Sequence, residues 1–507
     1  MDPLIPNSNS AKNLDAAGNP LYPSVYEFRE FVMINKYGES KNITHLVTSF
    51  IVSEEIFSPI LTAKIVIRDN ENFFEDFGLD GQEIVKVRIG YLPDPENRTA
   101  SADLSYQFVV KDYPLFEKTT ESINVQEYEI NLVSAFAYLS RLQQISKSIV
   151  GNPVDAIREI FETYLAYPKF SYQSKERNPC LTDNLKAVIT QRTPLQAVEY
   201  LRGLCYDADS SPFFIYTTLQ DDSIIARSWV DIVTNDDVYR PSSNADSYQY
   251  KPFIEEPIGT TENLRELRSK IISLSSDISL DKLSQAVAGG TGSVIEEIDL
   301  ASRSYNEFRD FSSKTKIIDQ EKTIDGNSKG SSEFNFNYLQ NLDFVNRQGR
   351  KTIDNIISDP TTSRKVYYLP INPYPSYSID PFSGNLAETE SFVSPARVKR
   401  VALPKARKYV ANMESAVHEI GVYGDPNLSA AKKIKIEIPK AIDPAEHNKA
   451  GDLDESLSGV YVIAVSVHIF ENGIYTNKIK IIKDSHLPGS EILAMNTRNI
   501  NSDQRVG

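Results

Sequence analysis

Strict alternation of apolar and polar residues runs through both ends of this chain, and it limits the fold more than any other feature. Leu61, Ala63, Ile65 and Ile67 alternate with Thr62, Lys64, Val66 and Arg68. Val85, Val87, Ile89 and Tyr91 alternate with Lys86, Arg88 and Gly90. Tyr106, Phe108 and Val110 keep the same period, as do Tyr128, Ile130 and Leu132. A period of two with one apolar face is a half-buried strand. Asp80-Gly81 and Pro93-Asp94-Pro95 mark turns between strands. Several short strands at this spacing predict a small barrel or sandwich over residues 25–140. The far end repeats the signal. Ile434, Ile436 and Ile438 alternate with charged residues. Tyr461, Ile463, Val465, Val467 and Ile469 alternate with Val462, Ala464, Ser466 and His468. Asn472-Gly473 then turns the chain into Tyr475 to Ile482, a strong hairpin signature. A second β module is expected over 404–486.

Between these blocks the period changes to that of a helix. Pro153 opens a segment with Val154, Ile157, Ile160, Phe161, Tyr164 and Leu165 on one face. Thr193-Pro194 is a good cap and first residue for a second helix burying Leu195, Val198, Leu201 and Leu204. Two strands follow, Phe213 to Tyr216 and Ile224 to Trp229, with a turn at Gln220-Asp221-Asp222. Residues 141–240 therefore read as an α/β unit. Across 241–403 the signal weakens. Leu264, Leu267, Ile271, Leu274 and Ile278 are spaced 3, 4, 3, 4, which predicts a helix near 261–285, with too few repeats to specify a coiled coil. Gly289 to Ser293 reads as a linker, and long loops surround the Pro- and Tyr-rich stretch from Tyr367 to Tyr377. A further helix is expected around Lys408 to Ile420. Residues 1–24 read as an extended arm and 487–507 as a flexible tail. The fold class is mixed and β-rich (α+β).

With 507 residues the chain has room for two to four domains and needs neither metal nor disulfide to fold. Cys180 and Cys205 form no disulfide framework and match no zinc spacing, so both are expected to be reduced thiols. The first twenty residues lack a basic start and an apolar core, and no apolar run approaches a membrane span. A formal charge of −15 argues against tightly held nucleic acid, whose phosphates need basic partners.

A search for chemistry finds no constellation. His45, His418, His447, His468 and His486 form no metal motif, and His45 and His468 sit in strand patterns where a packed or solvated ring is the simpler reading. Gly289 to Ser293 lacks the Gly-Lys-Ser/Thr of a phosphate loop. Asp452, Asp454 and Glu455 resemble only a fragment of a calcium loop. Asp207 and Asp209 read as turn residues. Glu54, Glu55 and Asp69 could pair as acid and base, though nothing in the sequence places them in one cleft. No catalytic, cofactor-binding or metal-binding residue is assigned, and no cofactor is expected.

Three segments, in order, resemble the central hub protein of contractile phage tail baseplates, a family related to the N-terminal part of the type VI secretion spike. The first is Ile43 to Ser58 and Lys64 to Asp69, closing with Leu79-Asp-Gly81-Gln-Glu83-Ile-Val85. The second is Gly151 to Ile160, then Pro194 to Arg202 and Ser211 to Tyr216. The third is Gly459 to His468 and Asn477 to Ile482. The resemblance covers roughly 25–235 and 405–485, and 236–400 departs from it. It implies two small tube-like antiparallel β-barrel domains flanking the α/β unit. It also implies a homotrimer whose six barrels adapt a sixfold tail tube, or its initiator proteins, to a threefold central spike trimer. Other baseplate proteins would surround it, and DNA would be present only in transit. The implied setting is the virion tail baseplate, assembled in the bacterial host cytoplasm, with no catalysis. The alternatives are a hub or spike component of a related bacterial injection or secretion machine, and a virion-associated cell-wall hydrolase.

Overall fold

The computed structural model describes residues 24, 26–91, 102–118, 125–235, 237–241, 245–250, 266–277, 293–299, 304–310, 364–369, 378–379, 386–387, 395–413, 416–440, 453–454 and 457–483. The first block supplies β1 (Tyr26–Ile34), β2 (Ser40–Asn42), β3 (Val47–Glu55), β4 (Ser58–Asp69), β5 (Ile84–Tyr91), β6 (Ala102–Lys118) and β7 (Gln126–Ser134), with a one-turn helix α1 (Phe73–Asp76) after β4. The middle unit follows as α2 (Ala135–Arg141), β8 (Ile145–Gly151), α3 (Pro153–Tyr164), β9 (Phe170–Tyr172), β10 (Leu185–Arg192), α4 (Pro194–Arg202), β11 (Phe213–Thr217), β12 (Ile224–Ser228) and α5 (Trp229–Asn235). Short strands come next: β13 (Val238–Tyr239), β14 (Tyr248–Gln249), β15 (Ile271–Asp277), β16 (Ser293–Asp299), β17 (Ser304–Asp310), β18 (Arg364–Leu369), β19 (Ser378–Ile379) and β20 (Leu386–Ala387). A long helix α6 (Pro395–Met413) leads into β21 (Ala416–Tyr423), β22 (Lys433–Glu437), β23 (Gly459–Glu471) and β24 (Ile474–Lys483).

The two β blocks, far apart in sequence, share one sheet. Its 14 strands run β15-β21-β24-β23-β3-β4-β7-β6-β5-β1-β2, with β22 also beside β23 and with β13 and β14 parallel to β22. The seam is β23 against β3, antiparallel from Val465↔Glu55 to Glu471↔Ser49. The sheet curls so that its far side returns to the seam. The Phe31 and Phe50 rings lie 5.5 Å apart, and those of Tyr26 and Phe470 lie 5.3 Å apart. Aromatic pairs at such spacing contribute beyond the area they bury.

The helices of the middle unit arise from local chemistry. The Asn152 side chain accepts from the Val154 amide at 2.9 Å, and Pro153 occupies the first turn of α3. Thr193 and Gln196 form a reciprocal capping box at α4, with bonds of 3.3 and 3.1 Å. Ile157, Ile160, Phe161, Leu201 and Leu204 then meet in one core with Leu185, Ile189 and Phe213.

Two expected helices are corrected. Of the segment predicted as a helix near 261–285, residues 266–277 are described: Glu266 to Arg268 is helical, but Ile271–Asp277 is strand β15, paired with β21. Its register shifts between Ile271 and Ser273. A bulge lets residues three apart share a face, so the spacing from Ile271 to Leu274 imitates a helical period. Leu264 and Ile278 lie outside the described residues. The helix expected around Lys408 to Ile420 instead spans Pro395–Met413, and His418 and Ile420 belong to β21. Pro404, which donates no backbone hydrogen bond, lies inside this helix. Burial offsets that loss: Val398, Ala402 and Ala406 pack into the core of the middle unit, while Tyr409 and Met413 pack where that unit meets β23. Smaller shifts occur at Trp229, which opens α5 rather than ending β12, and at His45, which lies in a turn with its ring 54% exposed.

Candidate functional site at the junction of the blocks

Glu54 extends the buried face of β3 one step past Val52, which places a carboxylate where an apolar side chain would ordinarily sit. It is fully buried. Such a charge needs partners that replace water. One oxygen accepts from the Ala430 amide at 2.6 Å, and the other accepts from the Leu219 amide. Leu219 follows β11, and Ala430 belongs to the segment before β22. One side chain of the first block thus ties down backbone from the middle unit and from the last block.

Facing Glu54 at 3.8 Å is His468 Nε2, also fully buried. Asn477 fixes the tautomer of this ring. Its carbonyl oxygen accepts from the Asp425 amide at 2.8 Å, so its amide nitrogen, 3.1 Å from His468 Nδ1, donates. Nδ1 accepts, and the proton resides on Nε2, toward Ser466 and Glu54. Tyr475 Oη lies 2.6 Å from the same Nδ1. Next to this group, buried Asp425 accepts from Arg268 Nη2 at 2.6 Å, from the Asn427 amide at 2.9 Å and from the Tyr239 hydroxyl. Burial first, and then the Asp425 charge, push the Tyr239 and Tyr475 hydroxyls above the ordinary phenol range. Both therefore remain protonated donors.

Beside the junction opens a cleft of about 1060 Å³, lined by Tyr216, Arg227, Tyr239, Lys432, Lys435 and Val460 among others. Its cationic walls are largely neutralised: Arg227 pairs with buried Asp231 at 2.9 Å and Arg240 with Asp246 at 3.2 Å.

The carboxylates singled out in the sequence do not converge. Glu54 and Glu55 sit at one end of the β3–β4 hairpin and Asp69 at the other, roughly 35 Å along a strand at ~3.3 Å per residue. Asp69 accepts from the Glu71 amide at 2.8 Å and the Phe74 amide at 3.3 Å, fastening the turn into α1. Asp207 accepts from the Asp209 and Ser211 amides at 3.0 and 2.9 Å, holding its turn. Glu83, fully buried, accepts from the Asp80 amide at 2.6 Å, the Gly81 amide at 3.0 Å and the Tyr113 hydroxyl at 2.7 Å. Gly81 has φ 90, a conformation that favours glycine. The Gly-x-Glu signature is therefore a turn closed by its own carboxylate. Among the fragments resembling ion-binding loops, Asp454 caps a turn through the Leu457 amide at 3.3 Å. Asp452, Glu455, Gly289 to Gly292, His447 and His486 lie outside the described residues.

Periodicity missed the most important part of the site. In β23 the apolar set Val465, Val467 and Ile469 is only half-buried, whereas Ser466, His468 and Phe470 point inward. The register shifts between Ile463 and Val465, and that bulge exchanges the two faces. The available signal was His468 followed by Asn477 across a hairpin already marked by Asn472-Gly473.

No family model matches the sequence, and no curated protein matches it. Among solved structures, a tail protein from Neisseria meningitidis MC58 is similar with 9% identity and a TM-score of 0.45, covering 91% of this chain and 97% of that one. The 43 kDa tail protein of prophage MuSo2 from Shewanella oneidensis is similar with 8% identity and a TM-score of 0.42, covering 91% and 100%. The E. coli c3393 protein, described as a type VI secretion component with structural similarity to T4 tail proteins, has 9% identity and a TM-score of 0.38, covering 91% and 78%. Phage tail proteins and type VI secretion proteins are thus among the structural neighbours of this chain.

Proposed function

We propose that this chain is the structural hub of a contractile tail baseplate. In this reading three copies form a ring in which the regions 25–140 and 404–486 act as two tube-like barrels. The ring adapts a sixfold tail tube to a threefold spike trimer, encloses the channel for DNA and performs no turnover. One observation carries the reading. The three segments that resemble the hub family are separated by long stretches of chain, yet the first and third meet in one junction with the turn that directly follows the second. Glu54 comes from the first, Leu219 follows the second by three residues, and Ser466, His468 and Asn477 come from the third. A chain locked this way transmits load through hydrogen-bonded strands rather than through a linker. The net charge of −15 suits a bore that lets DNA pass without adhering. Light scattering of the purified chain across a concentration series tests the assembly. The expected mass is near three times 57.0 kDa. A monomer at every concentration, with or without a spike trimer added, would sink the proposal.

A further inference from the structure

Cys180 and Cys205 come from different parts of the middle unit. Cys180 lies in the loop between β9 and β10, and Cys205 lies just past the end of α4. Both are free, both are in the same apolar core, and they are 3% and 0% exposed. The Cys205 thiol donates to the Leu201 carbonyl at 3.3 Å, and the Cys180 side chain enters the same part of that core. The backbone on either side is held so that they stay together. The Leu181 amide donates to the Tyr206 carbonyl at 2.6 Å, joining the residues that follow each cysteine. The Cys180 amide donates to Tyr172 Oη at 2.7 Å, and the Cys205 carbonyl accepts from the Phe213 amide at 3.2 Å.

We infer that Cys180 and Cys205 are a latent oxidative staple, reduced as the chain folds and able to join as a disulfide when the protein meets a small peroxide. The roles of the two thiols differ. The Cys205 side chain, followed by backbone amide bonds at Thr182 and Tyr206, lowers the Cys180 thiol below its ordinary range against the effect of burial. Burial pushes the Cys205 thiol well up. Cys180 is also the only one of the two with any exposed surface, 3% against 0%, so peroxide that enters on local opening meets it first. The Cys180 sulfur displaces water from hydrogen peroxide to give a sulfenic acid. The Cys205 sulfur then attacks that sulfur, the S–S bond forms, and a second water leaves with the Cys205 proton. Two thiols lose two electrons in total, and one peroxide is reduced to two waters. The bond would close the loop ahead of β10 onto the end of α4. It needs no partner chain and does not depend on the hub reading.

The test uses the full-length protein. It is treated with hydrogen peroxide, denatured in an alkylating agent, digested without reductant and mapped by mass spectrometry. The expected major product is the Cys180 peptide joined to the Cys205 peptide, lighter by two hydrogens than the pair. A thermal midpoint raised by several degrees, reversed by dithiothreitol, should accompany it. In Cys205→Ser the oxidation should stop at a Cys180 sulfenic acid that dimedone captures. In Cys180→Ser the Cys205 thiol should stay alkylatable. Wild-type mapping decides the matter even if a variant folds poorly. Two free thiols after peroxide, crosslinks between chains, or oxidation of Cys205 ahead of Cys180 would each overturn the inference.

Discussion

Two buried glutamates in the first β block do the same chemistry at different range. At the β5 entrance, Glu83 accepts from the Asp80 and Gly81 amides, three and two residues before it. At the seam, Glu54 accepts from the amides of Leu219 and Ala430, 165 and 376 residues away. Each replaces lost hydration with charge-assisted bonds from backbone. The Glu83 turn can close as soon as its few residues meet. The Glu54 junction exists only after three parts of the chain have assembled, and loop-closure entropy must be overcome first. Local turns of this kind specify an element, while junctions of the second kind specify how elements are joined.

That contrast breaks if substitution costs at the two sites are alike. Glu54→Ala should have the largest effect, about 4 kcal/mol, because it strands two buried amides and removes the charge facing His468. Denaturant unfolding should show it, with amide exchange rising in the middle unit and last block as well as the first. Gly424→Ala should follow at about 3 kcal/mol, since a Cβ there falls onto the buried Tyr475 ring. Glu83→Ala should cost about 2 kcal/mol, and its added amide exchange should stay near residues 80–83 and Tyr113. If Glu83→Ala loosened the seam as much as Glu54→Ala, the distinction would fail. Gly473→Ala should cost about 1 kcal/mol by calorimetry, from strain at φ 77 in the turn between β23 and β24.

The smallest effect concerns Asp207. Burial raises its carboxyl above the usual range. A group raised in the folded state favours folding while protonated. That contribution is complete below the unfolded value of about 3.9 and is lost as pH rises through the folded value. Asp207→Asn keeps an acceptor for the Asp209 and Ser211 amides and should flatten this slope. Stability profiles across the acid range should then diverge only above pH ~4, with the variant equal or slightly more stable near neutrality.

Much of the fold was legible because its determinants are near neighbours in sequence. Alternation marked the strands around Leu61–Ile67 and Val85–Tyr91, Asn472-Gly473 marked the last hairpin, and Pro and cap residues marked α3 and α4. The Gly-x-Glu turn was visible as a signature, although its reason was not. Failures arose where one residue changed the count. Bulges at β15 and β23 gave a strand the spacing of a helix and turned Ser466 and His468 inward. The helix expected around Lys408 to Ile420 lies earlier, because the apolar stripe from Val398 to Met413 finds its partners only in the folded core.

Side-chain period and turn chemistry, which act over a few residues, were enough to place the strands of the first block, α3, α4 and the last hairpin. That β3 pairs with β23, that both β blocks share a sheet, and that Glu54, His468 and Asn477 meet could be seen only in the folded molecule. Those outcomes depend on contacts between residues hundreds of positions apart. Their free energy appears only once the intervening chain has packed, so no local window of sequence contains it.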